Sequence, residues 1–251
     1  MTVLTCPVGG FRFLEGVFQY SAGVATLPGY EIVRVRFSRP LPMEEGFARI
    51  DRILGEAGRP LTAFCACELR SPEPFSEDGF RSFNEIYVDE LTRWGLFEGG
   101  RNPVARSNVC PVLGAPDEPS FHAFCYTVPS EGRGGDSFVI AGSGETREGQ
   151  TNYSDHIVRP GDTSPDGLRT KARFVLTEME RRMAALGFGW PQATATQVYT
   201  AHDIHPFFGE DIVRRGAAPG GLIWNYDRPP IVGLDFEMDV RSVAVERNVR
   251  I

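Results

Sequence analysis

The chain has 251 residues, 41% hydrophobic, 24% charged and 11% aromatic, with a net charge of −7. This is the composition of a folded protein, long enough for one large core or two small ones. The acidic balance without a Lys/Arg run argues against nucleic-acid binding, and no stretch reaches the roughly 18 apolar residues of a helical membrane span.

Val17–Ala25 and Glu31–Phe37 read as strands, the second with alternating polarity. Phe47, Ile50, Ile53 and Leu54 recur at helical spacing, with Gly58 as the stop. Leu61–Leu69 reads as a strand, Phe80–Leu91 as a second amphipathic helix, and Arg106–Val112 and Ser120–Val128 as two further strands. Residues 129–136, PSEGRGGD, form the best linker in the chain. After it come a short strand, Ser137–Gly142, and a helix from a Ser164-Pro165 start to about Leu186, ended by Gly187. Gln192–Ala201 reads as a strand, Phe207–Arg215 as a short helix, and Val232–Val240 as a strand with clean alternation.

The two halves overlay. RILGEAGRPLTAFCACEL, from Arg52, and RMAALGFGWPQATATQVY, from Arg182, both read as helix end, glycine, turn and strand. SFHAFCYTV, from Ser120, matches GLDFEMDV, from Gly233, as the last long strand of each half. The pattern is an internal duplication of roughly 120 residues, with domains at 1–130 and 131–251.

Several chemistries find little support. Lys171 is the sole lysine, so a Schiff base or Walker-type loop would rest on one position, and it is read on the exposed face of its helix. Five scattered cysteines argue against a disulfide scaffold and for a reducing cytoplasm, and the start of the chain lacks the pattern of a signal peptide. Cys65 and Cys67, two apart, are read as buried residues sharing one strand face. His202-Asp203-Ile204-His205 has no third metal ligand at local spacing and reads as a loop entering a helix. Gly142-Ser143-Gly144 lacks the spacing of a nucleophile elbow.

Phe83-Asn84-Glu85-Ile86-Tyr87, followed by Pro103-Val104-Ala105-Arg106-Ser107-Asn108-Val109, resembles the F-N-x-x-Y helix and P-A-R-S-x-V strand of the RidA (YjgF) family. Ala141-Gly142-Ser143-Gly144-Glu145 and the segment 229–239, PPIVGLDFEMD, resemble the same family's Ser-Gly turn and closing strand in the second half. A tandem pair of this length is similar to the 2-aminomuconate deaminases, including the 2-amino-5-chloromuconate type. The resemblance implies an α+β fold of two chorismate-mutase-like domains, each a mixed sheet on two helices. It also implies homotrimers with sites at domain or subunit interfaces, and cofactor-free, metal-free hydrolysis of an enamine or imine beside a carboxylate, releasing ammonia.

On that resemblance Arg106 clamps the substrate carboxylate, a task suited to its planar, permanently charged donor fork; the alternative is an interface ion pair. His122 falls where the family often has a water-positioning glutamate, and its imidazole can move protons near neutrality; a core or interface histidine is the other reading, and a shift of one residue would put Phe121 there. Asn84 matches the motif amide, and Asn108 shares the face of Arg106 by strand period.

The second half lacks the arginine. Either it has lost its site, or a composite cleft joins Arg106 to acids of the other half such as Glu145 or Asp235, with Ser143 and Trp224 lining it. Otherwise Asp235, Glu237 and Asp239 mark a solvated strand face. A dicarboxylate would want a second cation, and Arg147, Arg159 and Arg169 are candidates. The expected partner is a small carboxylate substrate, with neither nucleic acid nor membrane. The rival expectations are a broader imine deaminase, a chorismatase-like enzyme and a binding protein without turnover.

Overall fold

The computed structural model describes every residue except 131–136, 148, 150 and 151. Most of the linker segment, and one side of the expected boundary at 130/131, lie outside the described residues. Before that point come β1 (Val3–Cys6), β2 (Phe11–Leu14), β3 (Gly23–Thr26), β4 (Tyr30–Pro42), α1 (Met43–Glu56), β5 (Phe64–Arg70), α2 (Glu77–Arg93), β6 (Ala105–Pro111) and β7 (Ser120–Pro129). After it come β8 (Phe138–Gly144), α3 (Pro165–Ala185), β9 (Ala195–Tyr199), α4 (His205–Phe207) with a π-helical turn at Phe208–Val213, β10 (Leu222–Asn225), β11 (Asp227–Arg228), β12 (Glu237–Ser242) and β13 (Val245–Val249).

Local chemistry sets the long helix. Ser164 Oγ accepts the Gly167 amide at 3.1 Å, Pro165 opens the first turn, and Gly187, at φ +87°, supplies the left-handed residue that ends it.

Two mixed sheets result, ordered β11-β6-β5-β7-β4-β13 and β1-β2-β3-β8-β12-β9-β10. Within them β4-β7-β5-β6 and β8-β12-β9-β10 have the same topology. β5 is parallel to β6 and β9 to β10, and the other pairs of each set are antiparallel. The duplication read from sequence is therefore visible as repeated connectivity. The sheets nevertheless interleave the halves. The N-terminal strands β1–β3 extend the second-half sheet through β8, and β13 and β11 close the two edges of the first-half sheet.

The layers follow from where apolar side chains go. Phe47, Ile50 and Leu54 of α1 and Tyr87 and Leu91 of α2 pack on one sheet, and Leu168, Val175 and Met179 of α3 on the other. Phe11, Phe13, Ile32, Cys65, Ala105 and Ala141 fill the space between the sheets. The molecule is thus helices, sheet, sheet, helix, an α+β architecture.

Three expected strands are shorter than their patterns. Val17–Ala25 yields strand only from Gly23, because a turn closed by Tyr20 N to Val17 O occupies its start. Leu61–Leu69 begins as a 3-10 turn over Leu61–Ala63. Val232–Val240 becomes strand only at Glu237, because the Asp235 and Phe236 amides donate to the Glu145 carboxylate instead of a neighbouring strand. Cys65 and Cys67 do not share a face: a bulge between Phe64 and Ala66 turns Cys65 between the sheets and Cys67 toward α2, where it meets Tyr87 at 3.5 Å. All five cysteines are free thiols. Among the described residues no helix is long and apolar enough to cross a membrane.

Candidate active site

β6 runs at the junction of the two sheets. Its Arg106 and Asn108, two apart, line one small cavity of about 30 Å³. Gly142 and Gly144 of β8, Glu237 of β12, Tyr20, Phe80 of α2, Tyr153 and Leu234 complete most of its wall. The cavity therefore joins the two halves of the chain.

Arg106 is 2% exposed. Its Nη2 donates to Asn84 Oδ1 of α2 at 2.6 Å, which ties the two resemblance motifs together. The rings of Tyr20, Phe80, Phe83 and Tyr87 lie 4.8–5.8 Å from its guanidinium carbon. Such rings stabilise a cation without consuming its hydrogen bonds. Its Nη1 is buried and makes no hydrogen bond. Asn108 repeats the arrangement: Oδ1 accepts Ser71 Oγ at 2.9 Å, whereas Nδ2 is buried without a hydrogen bond. Buried donors left unmade cost roughly 1–3 kcal/mol each, more when charged. Two of them in the wall of one cavity are what an anionic, oxygen-bearing ligand would satisfy.

Across the cavity stands Glu237, 4% exposed. A Cβ on Gly142 would collide with its Oε1, so glycine at 142 is what makes room for that carboxylate. An added Cβ at Gly144 would likewise come within 2.8 Å of Leu234. Residues of both halves line this cavity, and the acid among them is Glu237 rather than Glu145 or Asp235. The strand face read as solvated is covered by the other sheet, and Asp239 on it is also 4% exposed, accepting Ser107 Oγ at 2.7 Å and Tyr199 OH at 2.8 Å.

The other expected residues lie elsewhere. Glu145 is fully buried, with Oε1 and Oε2 taken by the Asp235 and Phe236 amides at 2.6 and 3.0 Å and Lys171 Nζ at 3.3 Å from Oε1. Burial raises its pKa, against the pull of those amides. Asp235 pairs with Lys171 and, at 3.1 Å, with His202. Lys171 is 0% exposed, not on a solvent face, because it falls on the stripe of α3 that also buries Leu168, Ala172 and Val175. Ser143 alternates away from Gly142 and Gly144 and accepts Arg182 Nη2 of α3 at 3.1 Å. Trp224 is 37% exposed on β10 and donates to Thr200 O at 3.0 Å.

His122 is the extra residue of a bulge in β7, where Leu69 pairs with Phe121 and Glu68 with Ala123. The bulge turns it into a separate cleft, away from Arg106. His205 pairs with Asp203, and the described residues hold no group of three or more His, Cys, Asp or Glu able to bind a metal. Arg159 pairs with Asp162 and Arg169 with Asp211, and among the described residues Arg106 is the only cation lining the cavity.

Register shows what the second half lacks. Glu68 and Gln197 meet between the sheets at 3.4 Å, and their parallel partners are Ser107 and Ile223. Leu222 therefore stands where Arg106 stands, and it packs into the core against α3.

The family model described as 2-aminomuconate deaminase CnbZ matches residues 3–247. A 2-amino-5-chloromuconate deaminase of Comamonas testosteroni is 52% identical over 239 residues, 95% of each chain. Solved structures match parts of the chain more distantly. A putative endoribonuclease of Klebsiella pneumoniae is 14% identical over 44% of this chain and 94% of its own, with a TM-score of 0.34. A YjgF/YER057c/UK114 family member of Mycobacterium tuberculosis is 15% identical over 45% and 82%, with a TM-score of 0.30.

Proposed function

We infer that this chain, which belongs to the 2-aminomuconate deaminase family, hydrolyses a 2-aminomuconate-type enamine acid at the Arg106 cavity, releasing ammonia. The observation that carries this reading is the pair of unmet donors, Arg106 Nη1 and Asn108 Nδ2, in a cavity that also holds the Glu237 carboxylate.

The carboxylate beside the amino-bearing carbon docks on Arg106 Nη1, with Asn108 Nδ2 as the second donor. Asn84 keeps the guanidinium fork in place by occupying Nη2. Protonation of the conjugated carbon chain converts the enamine to an imine. Glu237 takes a proton from water as its oxygen bonds to the imine carbon, and the resulting carbinolamine has one new C–O bond. Glu237 returns its proton to nitrogen, and the C–N bond breaks as the new hydroxyl gives up its own proton to form the C=O, leaving an oxo acid and ammonia. One water is consumed, no electrons are exchanged, and the sequence needs only water and proton carriers.

Ammonia release from freshly generated 2-aminomuconate, above its spontaneous rate, tests the proposal. Arg106→Gln should lower kcat/KM by about 10³-fold or more, the scale of losing a charged contact together with its orientation. Equal rates for wild type, Arg106→Gln and buffer would overturn it.

A further inference from the structure

The open end of the space between the sheets forms a second cleft, of about 530 Å³. It is lined by Arg34 and Arg36 of β4, Arg70 of β5, Arg241 of β12 and the bulged His122, with Asp227 and Glu246 as the only carboxylates among its lining residues. Four arginines against two carboxylates is a local reversal in a chain of net charge −7. Arg34, Arg70 and Arg241 are 4–5% exposed.

Their pairing is uneven. Every nitrogen of Arg34 is bonded: Nε and Nη2 grip Glu68 at 2.6 and 2.8 Å, and Nη1 reaches Glu246 at 3.2 Å. Arg241 differs, since Nε reaches Glu246 at 2.8 Å but Nη1 is buried with no hydrogen bond. Arg70 meets Asp227 only at 3.5 Å, and Arg36 is exposed and gives one donor to Asn248. His122 reports the resulting field. Burial and then the neighbouring Arg70, with Arg34 and Arg36 adding to it, bring its pKa down to about 3 against the opposing pull of Glu68. Behind the cleft, Glu68 is itself spoken for by Arg34, Gln197 bridges Glu68 and Asp239, and burial followed by the charge of Glu68 raises the Asp239 pKa. The excess positive charge thus faces the opening.

We propose that this cleft is a second ligand site, taking a small dianion through carboxylate or phosphate oxygens held by Arg241 Nη1, Arg36 and Arg70, beside His122. An unpartnered guanidinium nitrogen inside a low-dielectric seam gains most from an anionic oxygen, and even with Glu68 counted beside Asp227 and Glu246 the four arginines remain in excess. The site is separate from the Arg106 cavity and shares no lining residue with it.

The full-length chain is titrated by calorimetry with glutarate and with inorganic phosphate, each at constant ionic strength and neutral pH. The ring signals of His122, one of four histidines, are followed by NMR in parallel. Saturable binding of either anion that moves the His122 signals supports the site, and which anion binds distinguishes carboxylate from phosphate. Arg36→Gln, at an exposed strand position, should weaken binding at least threefold, and Arg241→Met about tenfold. Arg106→Gln should leave it unchanged, which separates this site from the catalytic proposal. The proposal is overturned by absence of saturable binding up to millimolar anion. It is also overturned by binding that Arg106→Gln abolishes and Arg36→Gln leaves intact.

Discussion

Arg106 on β6 and Lys171 on α3 are both cations with almost no exposed surface, yet their surroundings differ in kind. Lys171 sits between Glu145 and Asp235, and Asp235 is further held by His202. Its charge is matched, and the cluster fixes three pieces of chain: α3, the end of β8 and the segment before β12. Arg106 has one neutral amide, four aromatic rings and a guanidinium nitrogen with nothing to bond. Removing a charge from water costs several kcal/mol, and the cost is recovered only by a partner. Lys171 has its partners within the fold. Arg106 lacks one, and on the proposed function the substrate carboxylate supplies it. A buried cation is informative about function when its hydrogen bonds are incomplete, and about scaffold when they are complete.

That contrast can be broken by stability and activity measured together. Arg106→Gln, which should abolish turnover, should shift the free energy of unfolding by no more than about 1 kcal/mol, since it removes a poorly compensated charge. Lys171→Met should do the reverse. It leaves two carboxylates facing each other without a counter-charge and should cost about 3–5 kcal/mol in urea unfolding. Whatever folded enzyme remains should keep a kcat within a few-fold of wild type. If the two variants behave alike in both assays, completeness of hydrogen bonding does not separate the two roles.

Glu237→Gln sharpens the same contrast within the cavity. The amide keeps the shape but cannot accept a proton from water, so kcat should fall about 10²–10³-fold with KM little changed. A change confined to KM would make Glu237 a binding group only.

How much of this was legible in the sequence depended on where the second partner of each residue came from. Arg106 and Asn84 sit in one half, in motifs separated by a single loop, and each motif could be read, but the hydrogen bond that joins them within one chain could not. Lys171 was misplaced although its spacing from Leu168, Ala172 and Val175 puts it on the buried stripe; its charge outweighed the period in the reading, and only the distant Glu145 and Asp235 make burial tolerable. Glu237 shows the complementary difficulty. The alternation of Phe236 and Met238 with Glu237 and Asp239 correctly separates two faces, but alternation cannot say whether the polar face meets water or another sheet. Here it meets another sheet, because strands from both ends of the chain stitch the halves together. His122 escaped for a local reason: a one-residue bulge turns the side chain out of the register that counting assumes.

The smallest expected effect concerns Trp224, which sequence reasoning placed in the pocket. It stands on β10, the free edge of the second-half sheet. Its indole donates to Thr200 O, and its ring meets His205 edge-on at 5.6 Å. Trp224→Phe keeps an aromatic ring and removes the N–H, so it should cost about 0.5–1.5 kcal/mol of stability, the net worth of one hydrogen bond. Because Leu222 on the same strand occupies the register position of Arg106, β10 has no cation to hold a carboxylate. Among the described residues Trp224 does not line the Arg106 cavity, so on the proposed function kcat/KM should stay within about twofold of wild type. A tenfold loss would mean that the β10 edge reaches substrate after all, and that the second half takes part in catalysis through more than Glu237.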